Sequence, residues 1–115
     1  MSTERYELHL SKDDTLDITL GKDRSGQVVH LVVNYRARFR ETGDRWHEIY
    51  RVDTSHGYLH EQRYWKGPEP IPLKVGKQTL EQVFDGTIDM LKVEYWRYKQ
   101  LYRKEKIKED REKKN

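Results

Sequence analysis

The sequence predicts an α+β fold in which a curved antiparallel β-meander packs on one long C-terminal helix. Three observations lead to this prediction. Residues 27–65 hold three segments rich in β-branched and aromatic residues, separated by short polar turns, which is typical of antiparallel strands. All three prolines lie within residues 66–76, which we expect to form a connecting loop. From Leu80 onwards, apolar residues recur at helical spacing.

The length and composition suit one folded domain. The chain has 115 residues, enough for a single hydrophobic core, and its three Trp and eight Tyr supply large apolar side chains although 37% of the residues are charged. Cysteine is absent, which excludes disulfides, thiolate nucleophiles and cysteine-type zinc sites. No segment approaches the roughly 20 apolar residues of a membrane span, and the amino terminus lacks a secretory signal. We therefore expect a cytoplasmic protein that does not contact a membrane.

The elements follow one another in the order sheet, loop and helix within a single domain, residues 1–115. The sheet region, residues 1–65, begins with two short alternating segments that predict an outlying hairpin, and the three strands of the meander follow. The expected strands are residues 5–10, 15–21, 27–40, 45–53 and 58–65. After the loop, residues 77–115 form the helix, in which Leu80, Phe84, Ile88, Leu91, Tyr95, Tyr98 and Tyr102 share one face.

The end of the helix is expected to be charged and frayed. From Lys99 to Asn115, eight Lys or Arg stand against four Asp or Glu. Such a run is most often a solvated helix end, and a tail that touches nucleic acid or a partner is the alternative.

Short turns determine the expected register of the meander. We take Thr42 and Gly43 as one two-residue loop, and Ser55 with His56 as the other. The resulting pairs are Phe39–Trp46, Ala37–Glu48, Tyr35–Tyr50 and Val33–Val52, then Val52–Leu59, Tyr50–Glu61, Glu48–Arg63 and Trp46–Trp65. This face is mostly apolar and should receive the helix.

The opposite face of the meander is predicted to be basic. It carries five arginines, two histidines and two tyrosines against one carboxylate: Arg36, Arg38, Arg40, Arg45, Arg51, His47, His60, Tyr58, Tyr64 and Asp53. Arg51 would stand beside His60, and His47 beside Tyr64, with facing Cβ atoms about 5 Å apart. Such a face favours binding of an anion, whereas an ordinary solvent-facing sheet is the alternative.

Residues 51–60 also carry a resemblance to a known family. The pattern Arg-x-Asp-Thr-x-His-Gly-x-x-His is formed by Arg51, Asp53, Thr54, His56, Gly57 and His60. It resembles the signature of an uncharacterised family of small prokaryotic proteins, which is similar in turn to the sheet-and-histidine pattern of TumE-like toxins of toxin–antitoxin pairs. The likeness covers mainly residues 30–65. It implies an α+β fold, a toxin-type role and an antitoxin-like protein partner.

Metal-independent cleavage of RNA is the leading functional hypothesis, and it requires no cofactor. The reaction needs a base, an acid and a cation at the phosphate, which histidine and arginine can supply. The candidate catalytic residues are Arg51 at the phosphate, His60 as acid or base, His47 or Tyr64 for the second proton, and Asp53 as an orienting carboxylate. The candidate RNA-binding residues are Arg36 and Arg38 for the backbone and Tyr58 for base stacking. His56 and Gly57 are interpreted as turn residues.

Three alternatives remain open at this point. A metal site formed by Asp53, His56 and His60 would have suitable ligands, but the nearby arginines would repel a cation, so we predict no metal. A non-catalytic binding module could use the same face for an anionic ligand or a protein partner. An adaptor protein could instead form a homodimer through the aromatic face of the helix.

Overall fold

The computed structural model describes residues 2–107, which form one antiparallel sheet and one long helix. The strands are β1 (Ser2–Ser11), β2 (Asp14–Lys22), β3 (Val28–Phe39), β4 (Arg45–Asp53), β5 (His60–Arg63) and β6 (Ile71–Pro72). They lie side by side in chain order. Helix α1 (Leu80–Tyr102) follows and continues into a π-helical turn, Arg103–Ile107. The predicted α+β fold is confirmed, while the predicted charged end of the helix at residues 108–115 lies outside the described residues.

The first two strands are not an outlying hairpin, because β2 pairs with β3 along its whole length. Leu16 faces Tyr35 and Ile18 faces Val33, so the alternating residues of β2 extend the apolar face of the meander. The sheet also continues beyond residue 65, since the proline-containing loop includes the short edge strand β6, which pairs with β5. The sheet is therefore wider on both sides than the sequence predicted.

The hydrophobic core lies between one face of the sheet and α1. Alternate residues of the strands bury their side chains there, including Leu16, Ile18, Leu31, Val33, Tyr35, Phe39 and Val52. The helix contributes Leu91 and Ile88, and its tyrosines pack against aromatic residues of the strands: Tyr95 on Tyr35, Tyr98 on Tyr50 and Tyr102 on Phe39. The apolar face of the helix thus packs mainly within the chain, and dimerisation through this face stays a prediction.

Polar contacts fix the two ends of α1. At its start, the Thr79 hydroxyl accepts from the backbone N–H of Gln82, and the Gln82 side chain accepts from the N–H of Thr79, at 3.1 and 3.0 Å. Near its end, Lys99 reaches the buried carboxylate of Asp14, which also accepts a hydrogen bond from the Tyr35 hydroxyl at 2.6 Å. Among the described residues, no helix combines the length and apolar content needed to cross a membrane.

A β-bulge changes the register between β3 and β4. The predicted pairs Val33–Val52 and Tyr35–Tyr50 are confirmed, but beyond them Arg38 faces Trp46. The expected two-residue loop was wrong, because a 3₁₀ turn at Arg40–Thr42 precedes Gly43 and Asp44, both with positive φ. The bulge leaves Ile49 as the extra residue and buries its side chain completely. Residues 45–48 therefore exchange faces relative to the prediction.

The register between β4 and β5 differs by two residues from the prediction. Arg51 faces Gln62, and Asp53 faces His60, because the connecting turn spans residues 54–59. A shift of two preserves the faces but changes every neighbour. Trp65 lies on the helix side as expected, whereas the predicted pairs Trp46–Trp65 and Glu48–Arg63 are wrong.

Candidate binding surface on the open face of the sheet

The side of the sheet turned away from α1 is termed the open face, and the arginines that β3 and β4 place on it, Arg36, Arg38 and Arg51, are paired with carboxylates. The predicted basic surface with a single acid is wrong, because β1, β2 and the turn between them bring further acids to this side. Glu48 also turns to this face through the bulge. The closest contacts are Arg36 to Asp17 at 2.6 Å and to Glu7 at 3.2 Å, Arg38 to Asp13 at 2.9 Å, and Arg51 to Asp53 at 2.7 Å.

Two of the predicted arginines do not belong to the open face. Arg40 lies in the 3₁₀ turn, and Arg45 pairs opposite Phe39, whose ring is in the core. The open face therefore carries charges of both signs in close pairs. Its electrostatic character is balanced rather than basic.

Trp46 contacts two of the paired arginines. The guanidinium carbons of Arg36 and Arg38 lie 4.6 and 5.2 Å from the centre of its ring, within the range of cation–π contacts. The side chain nevertheless remains 39% exposed. We call Trp46, Arg36 and Arg38 the Trp46 cluster. Sequence reasoning missed Trp46 because the bulge that turns it outward has no marker in the pattern of residues.

The ion pairs hold the charges of the cluster in place. The pKa of Asp13 lies below its ordinary value, mainly because Arg38 donates a hydrogen bond to its carboxylate. A hydrogen bond to Asp17 is likewise the main cause that raises the pKa of Arg36. Both arginines are therefore fixed in orientation by carboxylates as well as by the ring of Trp46, which gives the exposed indole a rigid support.

Asp53 and Gly57 shape the β4–β5 turn, residues 54–59. The Asp53 carboxylate accepts hydrogen bonds from the backbone N–H and the hydroxyl of Ser55 at 2.6 and 2.5 Å. Burial alone would raise the pKa of Asp53, but the hydrogen bonds from Ser55 and Arg51 outweigh this effect and lower it. Gly57 adopts a φ of 81°, a conformation that favours glycine. Asp53 and Gly57 thus have clear roles in shaping the turn.

His60 is fully buried beneath this turn. Its ring contacts those of His56 and Tyr58, at 5.2 and 5.3 Å between centres, and its Nδ1 lies 3.3 Å from the Tyr58 carbonyl oxygen. Its Nε2 has no hydrogen-bond partner among the described residues. The predicted position of His60 beside Arg51 is wrong, because His60 faces Asp53. Tyr58 is exposed and its ring contacts that of His60, while base stacking on Tyr58 stays a prediction.

The other two candidate catalytic residues lie at a different place. The bulge turns His47 to the helix side, where its ring nitrogens lie 2.9 Å from the Thr42 hydroxyl and 3.3 Å from the Tyr102 hydroxyl. Tyr64 follows β5 and donates its backbone N–H to Ile49, so it is not the cross-strand neighbour of His47. Both nevertheless line one shallow cleft of about 310 Å³ at the end of the sheet. Burial is the main cause that raises the pKa of Tyr64.

The structure therefore separates the candidate catalytic residues into two places. Arg51, Asp53 and His60 lie at the β4–β5 turn, whereas His47 and Tyr64 line the cleft. Within residues 2–107, no group of three His, Cys, Asp or Glu side chains could hold a metal ion, so Asp53, His56 and His60 do not form such a group.

A second feature that the sequence did not indicate is a basic cleft of about 510 Å³ beside the C-terminal part of α1. Its lining contains five basic and three acidic side chains: Lys12, Arg38, Arg40, Lys99, Arg103, Asp13, Glu41 and Asp44. Lys99 and Arg103 pair with Asp14 and Glu41. In the described part of the chain, Lys12 and Arg40 form no ion pair.

Comparison with known proteins places the whole described fold in one family. The model of the DUF7718 family, a domain of unknown function, matches residues 1–108. This range includes the Trp46 cluster and the β4–β5 turn. Neither the curated proteins nor the solved structures yielded a match. The likeness to TumE-like toxins is thus not shown, and the toxin-type role stays a prediction. The chain belongs to the DUF7718 family.

Proposed function

We propose that this chain is a non-catalytic binding domain that recognises a protein partner through the Trp46 cluster. The observation that carries this proposal is an exposed tryptophan whose ring contacts two arginines, and the charges of both arginines are already matched by carboxylates. Trp and Arg are the residue types that most often dominate the binding energy of protein interfaces. A side chain that is already ordered loses little conformational entropy on binding.

The charge balance of the open face favours a protein over a polyanion. An RNA backbone binds by neutralising phosphates with unpaired cations, and the arginines of the cluster would first have to leave Asp13, Asp17 and Glu7. A protein surface can instead present charges of both signs to these pairs. We therefore assign the partner to the class of proteins with a mixed-charge surface and a pocket for an indole ring.

The catalytic hypothesis receives less support from the geometry. A proton-transfer group must lie within hydrogen-bond reach of its substrate, but His60 is fully buried and the guanidinium of Arg51 is bound to Asp53. His47 lies at the separate cleft. Metal-independent ribonuclease activity would require the β4–β5 turn to open.

RNA binding with a toxin-like role is the second candidate. It is favoured by the basic cleft, in which Lys12 and Arg40 are available for phosphate, and by the nearby Trp46, on which a base could stack. In this case the affinity for RNA would fall steeply as the salt concentration rises.

A matched pair of tryptophan substitutions tests the proposal. Trp96 lies on α1 and is 59% exposed, so Trp96→Ala is the control for Trp46→Ala. A protein partner purified by its binding to the wild-type chain should lose at least about 30-fold in affinity with Trp46→Ala, which corresponds to about 2 kcal/mol. Its affinity for Trp96→Ala should change by less than about twofold.

Two results would contradict the proposal. Equal partner affinity for wild type and Trp46→Ala would show that the cluster is not the binding surface. The second result has two parts: single-stranded RNA binds and replacing Lys12 and Arg40 by Glu abolishes that binding, and no protein partner depends on Trp46. In that case RNA binding replaces protein binding as the proposed function.

A further inference from the structure

Strand β1 forms a long and open edge of the sheet. It spans Ser2–Ser11, and its inner side pairs with β2. Among residues 2–107, no strand pairs with its outer side. The opposite edge is the two-residue strand β6. A ten-residue strand with unpaired backbone N–H and C=O groups is a ready template for another strand, so β1 is the edge on which a further strand could add.

The two faces of β1 differ in chemistry. Arg5 and Glu7 project on the open face, where they stand opposite Thr19 and Asp17 of β2. Tyr6 and Leu8 project on the helix side, opposite Ile18 and Leu16. Tyr6 is 44% exposed.

The helix leaves the apolar side of β1 partly uncovered. A groove of about 460 Å³ lies between this strand and α1, and its apolar lining is formed by Tyr6, Leu8, Ile18, Phe84 and Ile88. Aromatic and aliphatic side chains that border an open strand edge gain burial when another strand is added.

We infer that β1 joins two copies of this chain through antiparallel pairing of residues 2–10 about a two-fold axis at Tyr6. In this register, Arg5 of each copy stands opposite Glu7 of the other, so two ion pairs form across the interface. The two Tyr6 rings meet on the helix side at the mouths of the two grooves. The two six-stranded sheets become one continuous sheet. This interface adjoins the Trp46 cluster at Glu7, which also pairs with Arg36 at 3.2 Å, but it does not depend on the proposed function.

The charges of β1 favour this register over its neighbours. In a two-fold pairing, residues that face each other must lie on the same side of the sheet, so the register can change only by two residues at a time. A shift in one direction opposes Arg5 to Arg5, and a shift in the other opposes Glu7 to Glu7, which is destabilising. A further shift towards the C-terminus would carry the pairing through the bulge between His9 and Ser11.

The same charges identify the second copy as the occupant of the edge. An Arg and a Glu that flank Tyr6 on one face complement themselves when the strand is reversed, which is the relation that a two-fold axis produces. The charges of β1 therefore disfavour pairing with strands of other charge patterns and favour pairing with β1 of a second copy.

Charge exchange tests the inference directly. R5E places two acids on the edge, and E7R places two bases there, so each variant alone should weaken self-association at least about tenfold, measured by sedimentation. The double variant R5E/E7R should dimerise like wild type. An equimolar mixture of the two single variants should also form dimers, because the acids of one chain then face the bases of the other.

Two controls accompany this experiment. Arg24→Glu changes the net charge by the same amount as R5E, but it lies in the exposed turn after β2, so it should leave the dimer unchanged. Circular dichroism should show that all variants keep the fold, since Arg36 retains Asp17 when Glu7 is replaced.

A cross-link measures the position of the axis. The chain contains no cysteine, so Tyr6→Cys introduces a single thiol. Facing residues of antiparallel strands have Cα atoms about 4.5–5.5 Å apart, which suits a disulfide. Tyr6→Cys should therefore oxidise rapidly to a disulfide-linked dimer, whereas Val93→Cys, on the exposed side of α1, should not.

Three results would overturn the inference. The first is a wild-type chain that is monomeric at every concentration tested, which would leave the edge to a strand of another protein. The second is a dimer that R5E and E7R do not weaken. The third is a dimer that is lost in Trp96→Ala, since this result would place the interface on α1.

Discussion

Replacing Asp14 by Ala should destabilise the protein strongly, because the buried carboxylate connects three parts of the chain. It accepts hydrogen bonds from the hydroxyls of Tyr35 and Ser11 and lies 3.3 Å from the Lys99 ammonium on α1. Asp14 is 3% exposed and Tyr35 is fully buried, so water cannot replace these contacts. A hydrogen bond to a charged group contributes about 1.5–3 kcal/mol, and an unsatisfied buried hydroxyl costs about 1–3 kcal/mol. We expect Asp14→Ala to lower the free energy of unfolding by about 3–5 kcal/mol.

Urea denaturation measures this loss, and a neighbouring residue supplies the control. Asp13→Ala removes a partly exposed partner of Arg38, so its effect should be far smaller. In a Tyr35→Phe background, Asp14→Ala should cost about 1–3 kcal/mol less than in wild type, because no hydroxyl is left unsatisfied. Equal losses for Asp13→Ala and Asp14→Ala, or strictly additive effects of the Asp14 and Tyr35 substitutions, would refute the reasoning.

Three further predictions concern stability. Trp65→Ala should lower the free energy of unfolding by about 3–5 kcal/mol and Trp46→Ala by about 1 kcal/mol, as measured by urea denaturation, because only Trp65 lies in the core. Gly57→Ala should cost about 1–2 kcal/mol by thermal denaturation, since the φ of 81° strains any residue with a Cβ, and a neutral result would contradict the described turn. The pKa of Asp53 is lowered in the folded protein. Its ionised carboxylate therefore stabilises the fold above the ordinary Asp pKa of about 3.9, and this stability is lost as the pH falls through the folded value. Asp53→Asn should therefore flatten the acid limb of the stability curve.

The fold could be predicted because its determinants are periodic. The alternation in β3 and β4 and the helical spacing of Leu91, Tyr95 and Tyr98 each specify one buried face, and the two faces fit together. The pairing of Tyr35 with Tyr50 was predicted from a two-residue loop that the structure does not have, and it holds because the bulge at Ile49 restores the register that the different turn changes. The start of the helix was predicted at residue 77 and lies at Leu80, where Thr79 and Gln82 form a capping box.

The site was harder to predict, because it depends on single residues and on partners distant in the chain. The extra residue Ile49 turns Trp46 to the open face and His47 to the helix side of the sheet. The amino-acid composition of the strand does not indicate where such a bulge occurs. Arg36 forms ion pairs with Asp17 and Glu7. Predicting these pairs required the knowledge that β1 and β2 belong to the same sheet as β3. The alternation of β2 could have suggested this, since its buried side resembles that of the central strands.

Side-chain oxidation by hydroxyl radicals, read by mass spectrometry, tests the central claim most directly. The three tryptophans report on three environments within one molecule: Trp65 is buried, whereas Trp46 and Trp96 are exposed on the open face and on α1. In the free chain, Trp46 and Trp96 should be oxidised and Trp65 protected. When the protein partner is bound, oxidation of Trp46 should fall severalfold while that of Trp96 stays unchanged. Protection of Trp96 with unchanged oxidation of Trp46 would contradict the assignment of the Trp46 cluster as the binding surface.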